Sequence, residues 1–111
     1  MANTTNSGSH FADATVDTAP GADGYFTGSV GMNERKREKI FFSVRETGDS
    51  SAFTATITLQ FKTDRDSDWQ DYKTYTSIDR EVIEMNAGTQ WRAGVKNGDY
   101  TSGTVRFGFD W

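Results

Sequence analysis

The chain carries sixteen acidic side chains, a single histidine (His10) and no cysteine, and these set the chemistry open to its 111 residues. Attack by a Ser or Thr hydroxyl needs a base to take the proton, usually histidine. His10 stands in a polar segment with no apolar pattern around it to fix its position. Without cysteine neither disulfides nor thiolate metal sites can form, and the redox compartment is unreadable. Carboxylate pairs of the glycosidase kind are open by counting alone, yet so small a chain has little room for a deep cleft that excludes water. Asp64, Asp66 and Asp68, with Asp71 close by, begin as a calcium loop begins. Such a loop needs Gly at its sixth position and a carboxylate at its twelfth, and here those positions hold Trp69 and Tyr75. The acidic cluster therefore reads as a solvated turn. Gly28-Ser29-Val30-Gly31 opens no helix and is not a phosphate cradle. The expectation is no catalytic residue, no cofactor and no metal: not an enzyme.

Aromatic side chains offer binding instead. Tyr25, Phe41, Tyr75 and Tyr100 fall on out-of-phase or loop positions. Rings placed so can stack on sugars or cover a protein contact, and the contact is the preferred reading because exposed apolar patches mark interaction surfaces. Phe11 and Val16, apolar points in the otherwise polar first segment, complete the candidate interface. The run Asn33–Lys39 interleaves Glu34 and Glu38 with Arg35, Lys36, Arg37 and Lys39, so its charge is compensated and it reads as a solvated loop. With a net charge of -4 and no clustered basic surface, no nucleic-acid partner is expected. No apolar run approaches the ~20 residues of a membrane helix, and the first residues lack a signal peptide's basic and apolar regions. No membrane partner is expected, and synthesis is expected in the cytoplasm.

The elements that must position these residues are strands. Hydrophobic residues make up only 34% but aromatics 14%, so a few large rings carry most of the burial. Eleven glycines and one proline suit short strands and turns. In 89–111, Trp91, Ala93 and Val95 share one face and Val105, Phe107, Phe109 and Trp111 another, with Asn97–Gly103 between them rich in turn residues. This reads as a half-buried β-hairpin. Phe53, Ala55, Ile57, Leu59 and Phe61 alternate with Thr54, Thr56, Thr58, Gln60 and Lys62 in the clearest strand. Ile40, Phe42 and Val44 oppose Phe41, Ser43 and Arg45; Phe26, Gly28, Val30 and Met32 suggest an earlier strand. Trp69 and Tyr72 are out of phase, which predicts a bulge, and Arg80–Met85 lacks a dominant face, as an edge strand does. The total is about seven strands with regular turns, which favours a single all-β sandwich, jelly-roll or Ig-like, over a barrel. Residues 1–24 have few sizeable apolar groups and carry three of the four excess negative charges. They read as a flexible N-terminal arm, either a frayed end or a strap across a neighbouring subunit, ahead of a sandwich domain at 25–111.

Thr56–Phe61 (TITLQF), Trp69, the Tyr-x-Tyr-Thr stretch ending at Thr76, and above all Trp91–Arg106 (WRAGVKNGDYTSGTVR) resemble small virion proteins of tailed phages. The resemblance covers about half the chain. Chain length and the acidic first segment are most like a capsid decoration (cement or staple) protein of a short-tailed phage. The resemblance implies a structural protein on the capsid exterior that bridges subunits of the major capsid protein. A thin sandwich with an exposed sheet edge makes a second copy of itself a further expected partner. Tail or head–tail components, and a carbohydrate-binding module with an exposed aromatic strip, are the alternatives. No functional residue transfers, because the shared run consists of glycines, turn residues and inward aromatics.

Overall fold

Alternating apolar and polar residues put one face of each strand in a core and the other in solvent, and this chain follows that rule along most of its length. The computed structural model describes residues 3–8, 10–31, 38–46 and 52–111. Its strands are β1 (Thr4–Ser7), β2 (Phe11–Val16), β3 (Tyr25–Phe26), β4 (Val30–Gly31), β5 (Glu38–Glu46), β6 (Thr54–Ala55), β7 (Ile57–Thr63), β8 (Gln70–Tyr75), β9 (Asp79–Met85), β10 (Thr89–Val95), β11 (Tyr100–Ser102) and β12 (Val105–Asp110). No helix occurs among the described residues. The fold is all-β. Sheet A runs β1-β2-β12-β5-β9; sheet B runs β3-β10-β7-β8, with β4 also on β10; β6 and β11 form a short ladder beside them.

After the β1–β2 hairpin the chain passes from sheet A to sheet B at β2→β3, back at β4→β5, and onward in the same way, with only β7–β8 joined as neighbours within sheet B. Each sheet therefore interleaves strands distant in sequence, which is jelly-roll winding. Every pairing in the two sheets is antiparallel. Between the sheets lie Ile40, Phe42, Val44, Phe107 and Phe109 from sheet A and Ile57, Leu59, Ala93 and Val95 from sheet B, all essentially without solvent contact. Phe42 ties the layers together, its ring centroid 5.2 Å from Phe109 and 5.0 Å from Tyr75.

Several expectations need correction. Trp91–Val95 and Val105–Phe109 do not form a hairpin. Their apolar faces are inward as expected, but β10 lies in sheet B and β12 in sheet A, so the two faces meet across the core instead of side by side. Asn97–Gly103 is long enough to cross between layers and includes β11, which pairs with β6. Trp111, expected inward, lies beyond the sheet and is 43% exposed.

The described part of the expected arm is folded. β1 pairs β2, and β2 pairs β12 in continuous register from Val105↔Val16 to Asp110↔Phe11. Ala12, Ala14 and Val16 enter the core while Asp13 and Thr15 face outward. These side chains are too small to hold a strand by themselves. The ladder to β12 supplies backbone hydrogen bonds, and the alanines fit beneath the large rings of β12. The expected strand through Phe26 and Val30 is split into β3 and β4, both on β10. Phe26 opposes Gly94 while Val30 opposes Trp91, so one extra residue intervenes and Phe26 and Val30 face opposite sides. The Thr27 hydroxyl accepts from the Ala93 N–H at the break, and the Thr27 N–H donates to the Ala93 carbonyl.

The bulge expected between Trp69 and Tyr72 is present: Leu59 opposes Lys73 and Gln60 opposes Asp71, leaving Tyr72 as the extra residue. Asp79–Met85 is an edge strand of sheet A, opposite β1. Most of the charged run Asn33–Lys39 lies outside the described residues.

Candidate functional site

Three surfaces carry more chemistry than a generic strand exterior. The first is the outer face of sheet A. Strand register places Phe11, Asp110, Phe41 and Val82 in one row across β2, β12, β5 and β9. Phe11 and Phe41 are each 39% exposed and Val82 is 59% exposed. Three apolar side chains therefore lie along a line of about 14 Å on the water side of the sheet, given the usual spacing between neighbouring strands. In the next row Asp13, Gly108, Ser43 and Arg80 are aligned. Gly108 is required there, since a Cβ would fall 2.4 Å from the Asp13 Cβ and 2.5 Å from the Ala12 carbonyl. Asp13 leans over this gap and is buried, with Arg45 Nη2 3.9 Å from its Oδ2. Neither Asp13 Oδ1 nor Arg45 Nε has a hydrogen-bond partner.

The second surface is the outer face of sheet B, where a polar network covers the strands. Phe26 lies over Gly94, at which a Cβ would come within 2.2 Å of the ring. The Arg92 guanidinium sits 4.0 Å from the Phe26 centroid and 4.5 Å from that of Trp69, between the two rings. Its Nε donates to Gln60 Oε1 at 2.8 Å; Gln60 Nε2 donates to Asp71 Oδ1 at 2.9 Å; Lys96 Nζ donates to Asp71 Oδ2 at 2.6 Å. Burial under the rings pushes the Arg92 pKa down. Hydrogen bonds from Lys96 and Gln60 hold the Asp71 carboxyl below its ordinary range. This layer explains why Gln60 and Thr58, on the outward face of their strand, are nonetheless buried.

The third is a cleft of about 320 Å³ at one end of the molecule, lined by Phe61 and Thr63 of β7, Tyr72 of β8, Glu84 of β9, Asn86, and Thr89 and Trp91 of β10. Its three rings touch one another, Phe61–Trp91 at 5.4 Å, Tyr72–Trp91 at 5.1 Å and Phe61–Tyr72 at 6.1 Å. Trp91 Nε1 donates to the Thr89 hydroxyl at 3.0 Å, fixing the indole.

The six residues expected at an interface separate into groups. Phe11 and Phe41 are brought into one exposed row. Val16 and Tyr75 are buried and present no contact surface. Val16 follows the inward phase of β2. Burial beside Phe42, followed by the charge of Glu81, raises the Tyr75 pKa as its hydroxyl meets Glu81 Oε2 at 3.1 Å. Tyr25 and Tyr100 are half-buried against the core, and the Tyr100 hydroxyl donates to the Asp17 or Gly103 carbonyl. Val82, missed because Arg80–Met85 shows no clean alternation, completes the row. The Arg92 stack and the cleft were also missed; both depend on strand neighbours far apart in sequence. Of the acidic cluster, Asp66 Oδ2 accepts from the Thr63 N–H at 2.9 Å, closing a turn, while Asp71 belongs to the sheet B network. His10 is tied at its backbone, where its carbonyl accepts from the Trp111 N–H.

No protein-family model matches the chain, and no curated protein matches its sequence. Among solved structures, it is similar to the capsular polysaccharide assembling protein CapF from Staphylococcus aureus, with a TM-score of 0.37 and 10% identity. That superposition covers 96% of this chain and 29% of the other, so the chain spans under a third of that protein's length. A likeness so loose bears on nothing further.

Proposed function

We propose that this protein is a non-enzymatic virion structural component, attached to the exterior of a phage capsid, where it stabilises the shell by bridging subunits of the major capsid protein. The observation that carries the reading is the exposed row Phe11–Phe41–Val82 on the outer face of sheet A. Apolar side chains left in water on a sheet face, interrupted by Asp110 and bordered by Arg45 and Arg80, give the mixed apolar and polar surface of a protein contact. The resemblance of Thr56–Phe61 and Trp91–Arg106 to tailed-phage virion proteins supports the major capsid protein as the partner. Attachment through a rigid sheet face replaces attachment through an arm, because β1 and β2 belong to the sheet.

The test is co-sedimentation with capsids of the encoding phage assembled without this protein. Wild type is expected to bind saturably, and Phe11→Ser, Phe41→Ser and Val82→Ser combined to weaken binding about tenfold or more while the far-UV spectrum stays that of folded protein. Undiminished binding by that variant, or a stained gel of purified virions showing only a few copies per particle, overturns the reading.

A further inference from the structure

We propose that the end cleft between β7, β8, β10 and β9 is a binding site for one ring of a neutral saccharide, a function separate from docking through sheet A. The argument begins with Tyr72. It is 56% exposed, yet its ring is held at near-right angles to both Phe61 (90°) and Trp91 (80°), so it stands fixed with more than half its surface in water. The chain interrupts a regular ladder to put it there. Tyr72 is the extra residue of the β8 bulge, and counted from Lys73 and Tyr75 an unbroken strand would turn it to the outer face, away from Phe61 and Trp91. Bulges of this kind re-aim single side chains, and they recur beside functional sites.

What surrounds the rings selects the ligand. Thr63, Glu84, Asn86 and Thr89 line the same cleft, so apolar ring surface and hydrogen-bonding groups converge within about 320 Å³. That volume is at the small end of ligand pockets. A pyranose matches both: its axial C–H face packs on an aromatic ring and its equatorial hydroxyls exchange hydrogen bonds around the edge. An aliphatic ligand would leave the polar lining unmatched. Among the described residues no Lys or Arg lines the cleft, whereas an acidic side chain, Glu84, does, which disfavours phosphorylated or carboxylated sugars and nucleotides. The walls are preorganised, since Trp91 Nε1 is held by Thr89 and the three rings brace one another, so little ordering accompanies binding.

Titration of the ¹⁵N-labelled full chain with glucose, galactose, mannose, N-acetylglucosamine and their β- and α-linked trisaccharides tests this. For at least one of these sugars we expect saturable shifts at the Trp91 indole N–H and at the Tyr72 and Thr89 amides, with a Kd in the millimolar range or tighter, and none at Trp69 on the outer face of sheet B. Tyr72→Ala is expected to weaken binding about tenfold or more, Tyr72→Phe to retain most of it, and Asn86→Ala, on the exposed turn, to weaken it without touching the aromatic cluster. Should Tyr72→Ala fail to fold, Asn86→Ala and Tyr72→Phe decide the matter. The proposal is overturned if no sugar in the set gives saturable shifts by about 50 mM, well beyond the millimolar regime. It is equally overturned if the shifts survive Tyr72→Ala and Asn86→Ala unchanged, or if glucose 6-phosphate binds better than glucose. None of these results depends on capsid attachment.

Discussion

Asp71 lies at the junction of two strands' worth of polar side chains, taking a hydrogen bond from Gln60 on one oxygen and from Lys96 on the other. Its pKa is lowered from 3.8, mainly by the Lys96 hydrogen bond. Lowering in the folded state means that ionised Asp71 stabilises the fold. That contribution is complete above the unfolded-state value and is lost as pH falls through the folded one. The stability gap between wild type and Asp71→Asn, read from urea melts, is therefore expected to be constant above about pH 5 and to close below about pH 4. A gap that widens on acidification would contradict the assignment. At this scale the sequence was informative about inward rings and poor about outward ones. Phe42, Ile57, Leu59 and Phe107 could be placed by alternation alone. The Arg92 position between Phe26 and Trp69 could not, because it needs a bulge after Phe26, a bare Gly94 and a turn that swings Trp69 back over β10.

Of the two strands that sequence reasoning passed over in the first segment, β2 is the one that enters the core. FADATV alternates as cleanly as any other stretch, but its inward residues are Ala12, Ala14 and Val16, and a segment judged by its own burial looks too weak to order. What orders it is its neighbour: β12 presents Val105, Phe107 and Phe109 on the same inner face and a full row of backbone groups at its side. A half-strand's hydrophobicity is a property of the pair. Removing residues 1–16 takes away both β1 and β2 and bares that side of β12. Circular dichroism is expected to show the truncated chain unfolded or melting far below wild type. The loss of three buried side chains and their whole ladder is large against the total stability of a domain, roughly 5 to roughly 15 kcal/mol. A truncated chain that melts like wild type would show that β2 adds nothing to sheet A. The split of β3 from β4 and the crossing at Asn97–Gly103 were illegible for a related reason. Turn-rich spacing tells where a strand stops, and not which sheet the next one joins.

The molecule is an all-β jelly roll with two unlike outer faces: sheet B roofed by charged and aromatic side chains, sheet A carrying bare rings. Its strands differ in protection too. β1 is a four-residue strand, wholly exposed, at one margin of sheet A, whereas β12 lies inside the sheet, paired on both sides. Amide hydrogen exchange is expected to be slowest in β12 and β5 and fastest in β1, with protection in β2 between them. Equal protection across sheet A would mean that the sheet opens only as a whole. The placement of β12 also bears on how the protein is made. β5 ends at Glu46, but the partner that fills the gap between it and β2 is not synthesised until Val105–Asp110. At roughly 5–20 residues per second, several seconds of translation pass with Phe42, Val44, Ala14 and Val16 facing no completed core. For that interval the nascent chain holds strands able to pair with any extended neighbour, including another nascent copy. Lys39 and Arg45, near the two ends of β5, place charge beside its apolar row and disfavour that premature pairing.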